Sequence, residues 1–123
     1  MRERHLDCFG HVNHATYLEI LEEARWDLAT NRGYGLDEVK RSGLGPVILE
    51  CNIKYRRELN NLDEIRIETW NDGLRSRVST IRQEIFRESD GVLVAEAVLT
   101  ICLFDMKTRR IVPANAKWKI AIA

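Results

Sequence analysis

The sequence predicts an α+β fold: one antiparallel sheet of five strands curled around one long helix. Two observations predict it. A single long segment, Tyr17 to Leu28, repeats its apolar residues at helical spacing, whereas the segments after Pro46 alternate with a period of two. Turn-forming sequences (Asn60-Asn61-Leu62-Asp63, Asn71-Asp72-Gly73 and Ser89-Asp90-Gly91) separate those segments, so successive strands run antiparallel. The chain of 123 residues is long enough for one core and too short for two, so residues 1–123 are expected to form a single domain. One amphipathic helix then has one sheet to cover.

Arg2 to Leu6 reads as the first strand and begins abruptly, which leaves its natural start open. The helix follows, with Asn13 as N-cap and Val12 and Tyr17 as its apolar staple. Tyr17, Leu21, Ala24 and Leu28 form its stripe, flanked by Leu18 and Ile20, while Glu19, Glu23, Trp26 and Asp27 fall on other faces. Asn31 and Gly33 end it, and Leu36 to Ser42 adds a short helical turn. Everything beyond reads as strands. Val47 to Arg57 puts Leu49, Cys51, Ile53 and Tyr55 on one face, and Glu64 to Trp70 and Arg77 to Arg87 alternate likewise. Val92 to Phe104 is apolar on both faces, as a central strand would be. Ile111 to Pro113 is a short extension. Val92, Val94, Val98 and Phe104 would leave an apolar outer face in need of a partner.

Composition narrows the function classes. Apolar residues make up 45%, and 19 basic residues balance 19 acidic ones. A neutral chain has no global attraction for nucleic acid or an anionic membrane, and any anionic ligand needs a local basic cluster. Cys8, Cys51 and Cys102 are widely spaced, without a C-x-x-C pair, as expected of reduced thiols in a cytoplasmic protein. No signal peptide is expected, and the sequence has no apolar run of membrane-spanning length.

The chemistry concentrates in Asp7-Cys8-Phe9-Gly10-His11-Val12-Asn13-His14. A carboxylate stands just ahead of a long helix, whose first backbone N–H groups are unpaired and carry partial positive charge. Such a carboxylate can attack a carbonyl or activate water, and such N–H groups can hold an oxyanion. Asp7 could equally do no more than bond loop N–H groups. His11 precedes the helix and His14 opens it, so the facing rule for helical pairs does not make them a metal site, and none is expected. Glu22 could act chemically, or simply pair with Arg25 three residues on. Lys54, Arg56 and Arg57, and separately Lys107, Arg109 and Arg110, are basic clusters that suit phosphates, or else a solvated sheet edge.

Asp7, Gly10, His11, Val12, Asn13, His14, Tyr17 and Leu18, followed by Glu22-Glu23-Ala24-Arg25, resemble the hotdog-fold acyl-CoA thioesterases of the 4-hydroxybenzoyl-CoA thioesterase type. Asn52-Ile53-Lys54-Tyr55-Arg56-Arg57 and Phe104 to Arg109 extend the resemblance, and together these blocks look most like bacterial long-chain acyl-CoA thioesterases. His5 stands where many members carry a second acid, and the first strand is shorter than usual. The resemblance implies hydrolysis of an acyl-CoA, of medium or long chain, to free acid and CoA, without a cofactor. It implies Asp7 as nucleophile or general base, the His14 amide as oxyanion donor and Asn13 beside them. Tyr17 and Glu22 would line the pocket, and Lys54, Arg56 and Arg57 would meet CoA phosphates. It also implies a homodimer or homotetramer, whose partner copy brings the Gly43-to-Glu50 region to the site. A hotdog hydratase or dehydratase fits less well, because His11 lies four residues after Asp7 rather than five and no Asn-Pro lies between. A non-catalytic binder of acyl thioesters would have no use for Asp7.

Overall fold

The computed structural model describes residues 14–60 and 62–123, with His14 described by its backbone alone. The expected first strand at Arg2 to Leu6, Asp7 and the Asn13 cap lie outside the described residues.

The long helix α1 spans His14–Asn31, and α2 spans Leu36–Ser42 as expected. Gly33, at a φ of 91°, breaks α1, and Tyr34 N–H closes the turn on the Ala29 carbonyl at 2.7 Å. Strands β1 (Leu44–Tyr55), β2 (Ile65–Arg75), β3 (Val78–Arg87) and β4 (Leu93–Asp105) follow, then β5 (Arg110–Val112). The sheet order is β1-β4-β3-β2, all antiparallel, so β4 is central as its doubly apolar sequence requires. β5 pairs with Leu103 to Asp105, where β3 has stopped at Cys102, and therefore prolongs the line of β3. The fifth described strand is thus the short extension.

Three local expectations are corrected. Asn71-Asp72-Gly73 is not the hairpin turn. It is a bulge inside β2, with Gly73 at a φ of 138°, and the chain reverses at Ser76-Arg77. Bulges and hairpins draw on the same Asn and Gly chemistry, so the dipeptide alone does not separate them. A second bulge falls at Leu49, between Ile48 and Glu50, and breaks the expected alternation with Cys51, Ile53 and Tyr55. Residues Ala116–Ala121 form a helix, α3, rather than an extended end, with the Asn115 side chain accepting from Trp118 N–H at 2.8 Å.

The interior falls into two clusters. Tyr17, Ile20 and Leu21 of α1 pack on Ile85, Ala95, Ala97 and Leu99, where two alanines let the helix approach the sheet closely. Tyr34, Val39, Ile81, Ile101, Leu103 and Trp118 form the second cluster, which Trp26 joins instead of facing solvent. Leu18, read as a flank of the stripe, is exposed. Val94 is buried in the first cluster, not on the outer face, because the sheet register shifts beside it. The outer face instead carries a charged row, Lys54, Glu96, Glu84 and Glu68, across all four long strands. Exposed apolar side chains gather along β1, at Val47, Ile48, Leu49 and Tyr55.

The Glu38 carboxylate pins α3 to α2. It accepts from Arg41 at 2.6 Å and from Lys117 of α3 at 2.7 Å. The Arg41 bonds first, and the Lys117 bond second, hold its pKa at about 2. A depressed carboxylate stabilises the fold above its ordinary titration range and loses that contribution as pH falls through its folded value. Glu38→Gln should therefore lower the melting temperature at neutral pH. The gap from wild type should narrow below about pH 4.5 and close near pH 2, as followed by circular dichroism.

Candidate functional site

The described part of the predicted site is assembled around the first turn of α1. His14 opens that helix. Tyr17, one turn on, is buried and meets the Tyr55 ring edge to face, with centroids 5.1 Å apart. Its hydroxyl donates to the Arg57 carbonyl at 3.5 Å, and burial pushes its pKa up. A phenol so placed is a wall and a brace, not a proton donor at neutral pH. The brace has a consequence: it ties the start of α1 to the basic end of β1.

That end is held from the other side by β4. Arg56 and Arg57 N–H groups both donate to the Val94 carbonyl, at 2.7 and 3.0 Å. The Arg56 guanidinium reaches Glu96 at 3.0 Å, and Arg57 donates to the Arg56 carbonyl at 2.9 Å. Lys54 is exposed and lies opposite Glu96 in the sheet. Arg57 thus lies beside the helix start, whereas Lys54 and Arg56 both stand against Glu96 of β4. Lys107, Arg109 and Arg110 follow β4 at its far end, where Arg109 stacks over Phe104 at 5.5 Å, so the two basic clusters are separate.

Glu22 is not part of this group. Eight residues beyond His14, it lies about 12 Å along the helix at ~1.5 Å per residue. It is exposed, and it forms no ion pair with Arg25: Arg25 Nη1 donates instead to Gln83 Oε1 of β3 at 2.8 Å. Gln83 is fully buried, and its Nε2 donates to the Leu21 carbonyl and to the Thr69 hydroxyl, both at 3.1 Å. A polar bridge therefore runs from α1 through β3 to β2 at the seam between the two core clusters. Sequence reasoning missed Arg25 and Gln83. The signal was present: Arg25 stands four residues after Leu21 and so shares its buried face.

Beyond the bridge the helix and sheet part. A cavity of about 260 Å³ opens there, lined by Arg25, Trp26 and Ala29 of α1, Ile48 and Ile101 of the sheet, and Trp118 of α3. It is mainly apolar, as ligand pockets are. Among the described residues no group of His, Cys, Asp and Glu could hold a metal ion. Cys51 and Cys102 are free, and burial raises the pKa of each, so neither is an activated thiolate.

With this geometry in place, comparison with known proteins is direct. The model of the thioesterase-like superfamily matches residues 2–121. The long-chain acyl-CoA thioesterase FadM of Escherichia coli is 36% identical over 110 residues, covering 89% of this chain and 83% of its own. The crystal structure of YbaW from Escherichia coli superposes with a TM-score of 0.85 at 32% identity, over 98% of this chain and 90% of that one. SAV2348 from Staphylococcus aureus, solved in complex with CoA, shares the fold at a TM-score of 0.91 and 18% identity, over 99% and 77% of the two chains. The antiparallel sheet on one long helix is the hotdog fold.

The polar bridge predicts a stability effect. Gln83→Leu would leave the Arg25 guanidinium half-buried without an acceptor, and should cost about 1–3 kcal/mol in urea unfolding, with no change in mass or oligomeric state.

Proposed function

The chain belongs to the thioesterase-like superfamily, and from that premise we propose that it hydrolyses acyl-CoA thioesters to the free acid and CoA. The observation that carries this reading is the 36% identity to a long-chain acyl-CoA thioesterase across 89% of the chain. A medium or long fatty acyl group is the substrate class this likeness favours.

The mechanism rests on the sequence order around Asp7. Water adds to the thioester carbonyl, with Asp7 taking its proton, or Asp7 itself adds and the acyl–enzyme anhydride is then hydrolysed. In both routes the C–S bond breaks, CoA leaves as the thiolate and takes up a proton, and the acyl carbon gains the oxygen of water. The first amides of α1, that of His14 included, stabilise the oxyanion, and Asn13 fixes the helix end that presents them. The brace from Tyr17 to Arg57 supports a role for Lys54, Arg56 and Arg57 on the CoA phosphates, because it holds that basic strand end beside the helix start. Glu22, exposed and two turns away, is left no part in the chemistry.

A second copy of the chain completes the site in this reading. β1 is an edge strand in the described sheet, and Val47, Ile48 and Leu49 form an exposed apolar run along it. Pairing two such edges would satisfy their free backbone groups and cover these side chains. Free, widely spaced cysteines are in keeping with a cytoplasmic setting.

Two outcomes follow. Asp7→Asn should reduce kcat by roughly 10²–10⁴, with acyl-CoA binding retained, in an assay of thiol release across short, medium, long and aromatic acyl-CoAs. Hydrolysis at wild-type rates would refute the role of Asp7, and silence across the whole panel would favour a binder. Val47→Lys with Leu49→Lys should convert the protein to a 14.3 kDa monomer in sedimentation and remove activity. A wild-type monomer would exclude the edge pairing.

A further inference from the structure

The cavity behind the Arg25–Gln83 bridge has features that hydrolysis at the helix start does not use. Its nearest helical residue, Glu22, stands about 12 Å beyond His14. The first core cluster, packed around Leu21, Ile85 and Ala97, fills the intervening interior. The cavity follows α1 from Glu22 to Arg32, a length of about 15 Å. Its floor is apolar, with Ile101 of β4 and Trp118 of α3.

Arg25 stands at its near end. A guanidinium offers five N–H donors, and among the described residues the only hydrogen bond of Arg25 goes to the neutral amide of Gln83. Among the described residues no carboxylate comes within ion-pair distance, and Glu22 acts on it only at longer range. Burial lowers its pKa, the mark of a cation that has lost water. Arg32, at the other end, is already committed, donating to the Ala121 and Ala123 carbonyls of the α3 end at 3.2 and 2.6 Å.

We propose that this cavity binds a medium-chain monocarboxylate, with its carboxylate on Arg25 and its alkyl chain laid along the apolar slot towards Trp118. At ~30 Å³ per water-sized group, a volume of about 260 Å³ holds a ligand the size of octanoate. The bound species is the free acid, because the tail of an acyl thioester is uncharged and has no use for a cation. The site is thus one for released acid, and it stands apart from the carbonyl chemistry.

Calorimetry with the full-length protein tests this without turnover, so that failure of thioester hydrolysis bears on the proposed reaction alone. Octanoate should bind saturably and at least about tenfold more tightly than octanol, the gain of a charge-assisted contact. Arg25→Met should erase that preference while octanol binding persists. Ala29→Phe, which fills the slot, should weaken both ligands. Equal affinity of wild type for octanoate and octanol, or no saturable octanoate binding, overturns the proposal. Both results come from the wild-type protein and stand even if Arg25→Met fails to fold.

Discussion

Everything else in the molecule depends on one constraint: a single helix must bury its face on a single sheet while carrying a guanidinium on that face. Arg25 cannot be turned outward without also turning Leu21, which shares its side of the helix. The sheet answers with Gln83, a neutral amide between Ile81 and Ile85 on the inner face of β3. Its carbonyl takes the cation and its NH₂ group takes a helix carbonyl and the Thr69 hydroxyl, so no polar group of the amide is wasted. The bridge fixes α1 against rotation and against sliding along the strands, which apolar contacts alone resist poorly.

Two different packings flank that bridge. On the N-terminal side, Ala95 and Ala97 present little bulk, and the helix settles on the sheet around Tyr17 and Leu21. On the C-terminal side, Ile101 and Ile81 face the helix, and the gap is closed from the end by Trp118. Close approach at one end and separation at the other suit the two roles proposed for α1. Its tightly held start can present amides to a carbonyl, because a helix end that moved could not preorganise an oxyanion. Its raised end leaves room for a chain.

The sequence revealed those features that follow from periodicity. The helix, α2 and four long strands each repeat apolar residues often enough to be read, and β4 announced its central place by being apolar on both faces. The errors fall where one local signal serves two geometries. Asn71-Asp72-Gly73 supplies positive φ equally well to a hairpin or to a bulge, and only pairing decided for the bulge. α3 has six residues, fewer than two turns, too few to show a period, and only the Asn115 cap marked it. The Glu22–Arg25 spacing allowed an ion pair, but the partner that wins is on another strand, which spacing within a helix does not register. The Tyr17 brace was half legible: both residues were singled out, but their contact spans 40 positions.

The cavity was not legible at all, and the reason is general. A sequence encodes packing through the side chains that fill space, whereas a cavity is set by the mismatch between elements that are each well formed. Trp26, Ala29 and Ile101 are ordinary interior residues one by one. What distinguishes their surroundings is Arg25, because a charge is costly in the same place where an apolar wall is cheap. A merely imperfect core would relax by admitting more apolar bulk, and would gain nothing by holding a cation at its edge. Keeping the cation requires the buried amide of Gln83 opposite it, and thus a polar residue at the centre of the sheet. The cost of that arrangement is borne on two elements at once, and this is why the space behind the bridge reads as a site and not as a packing fault.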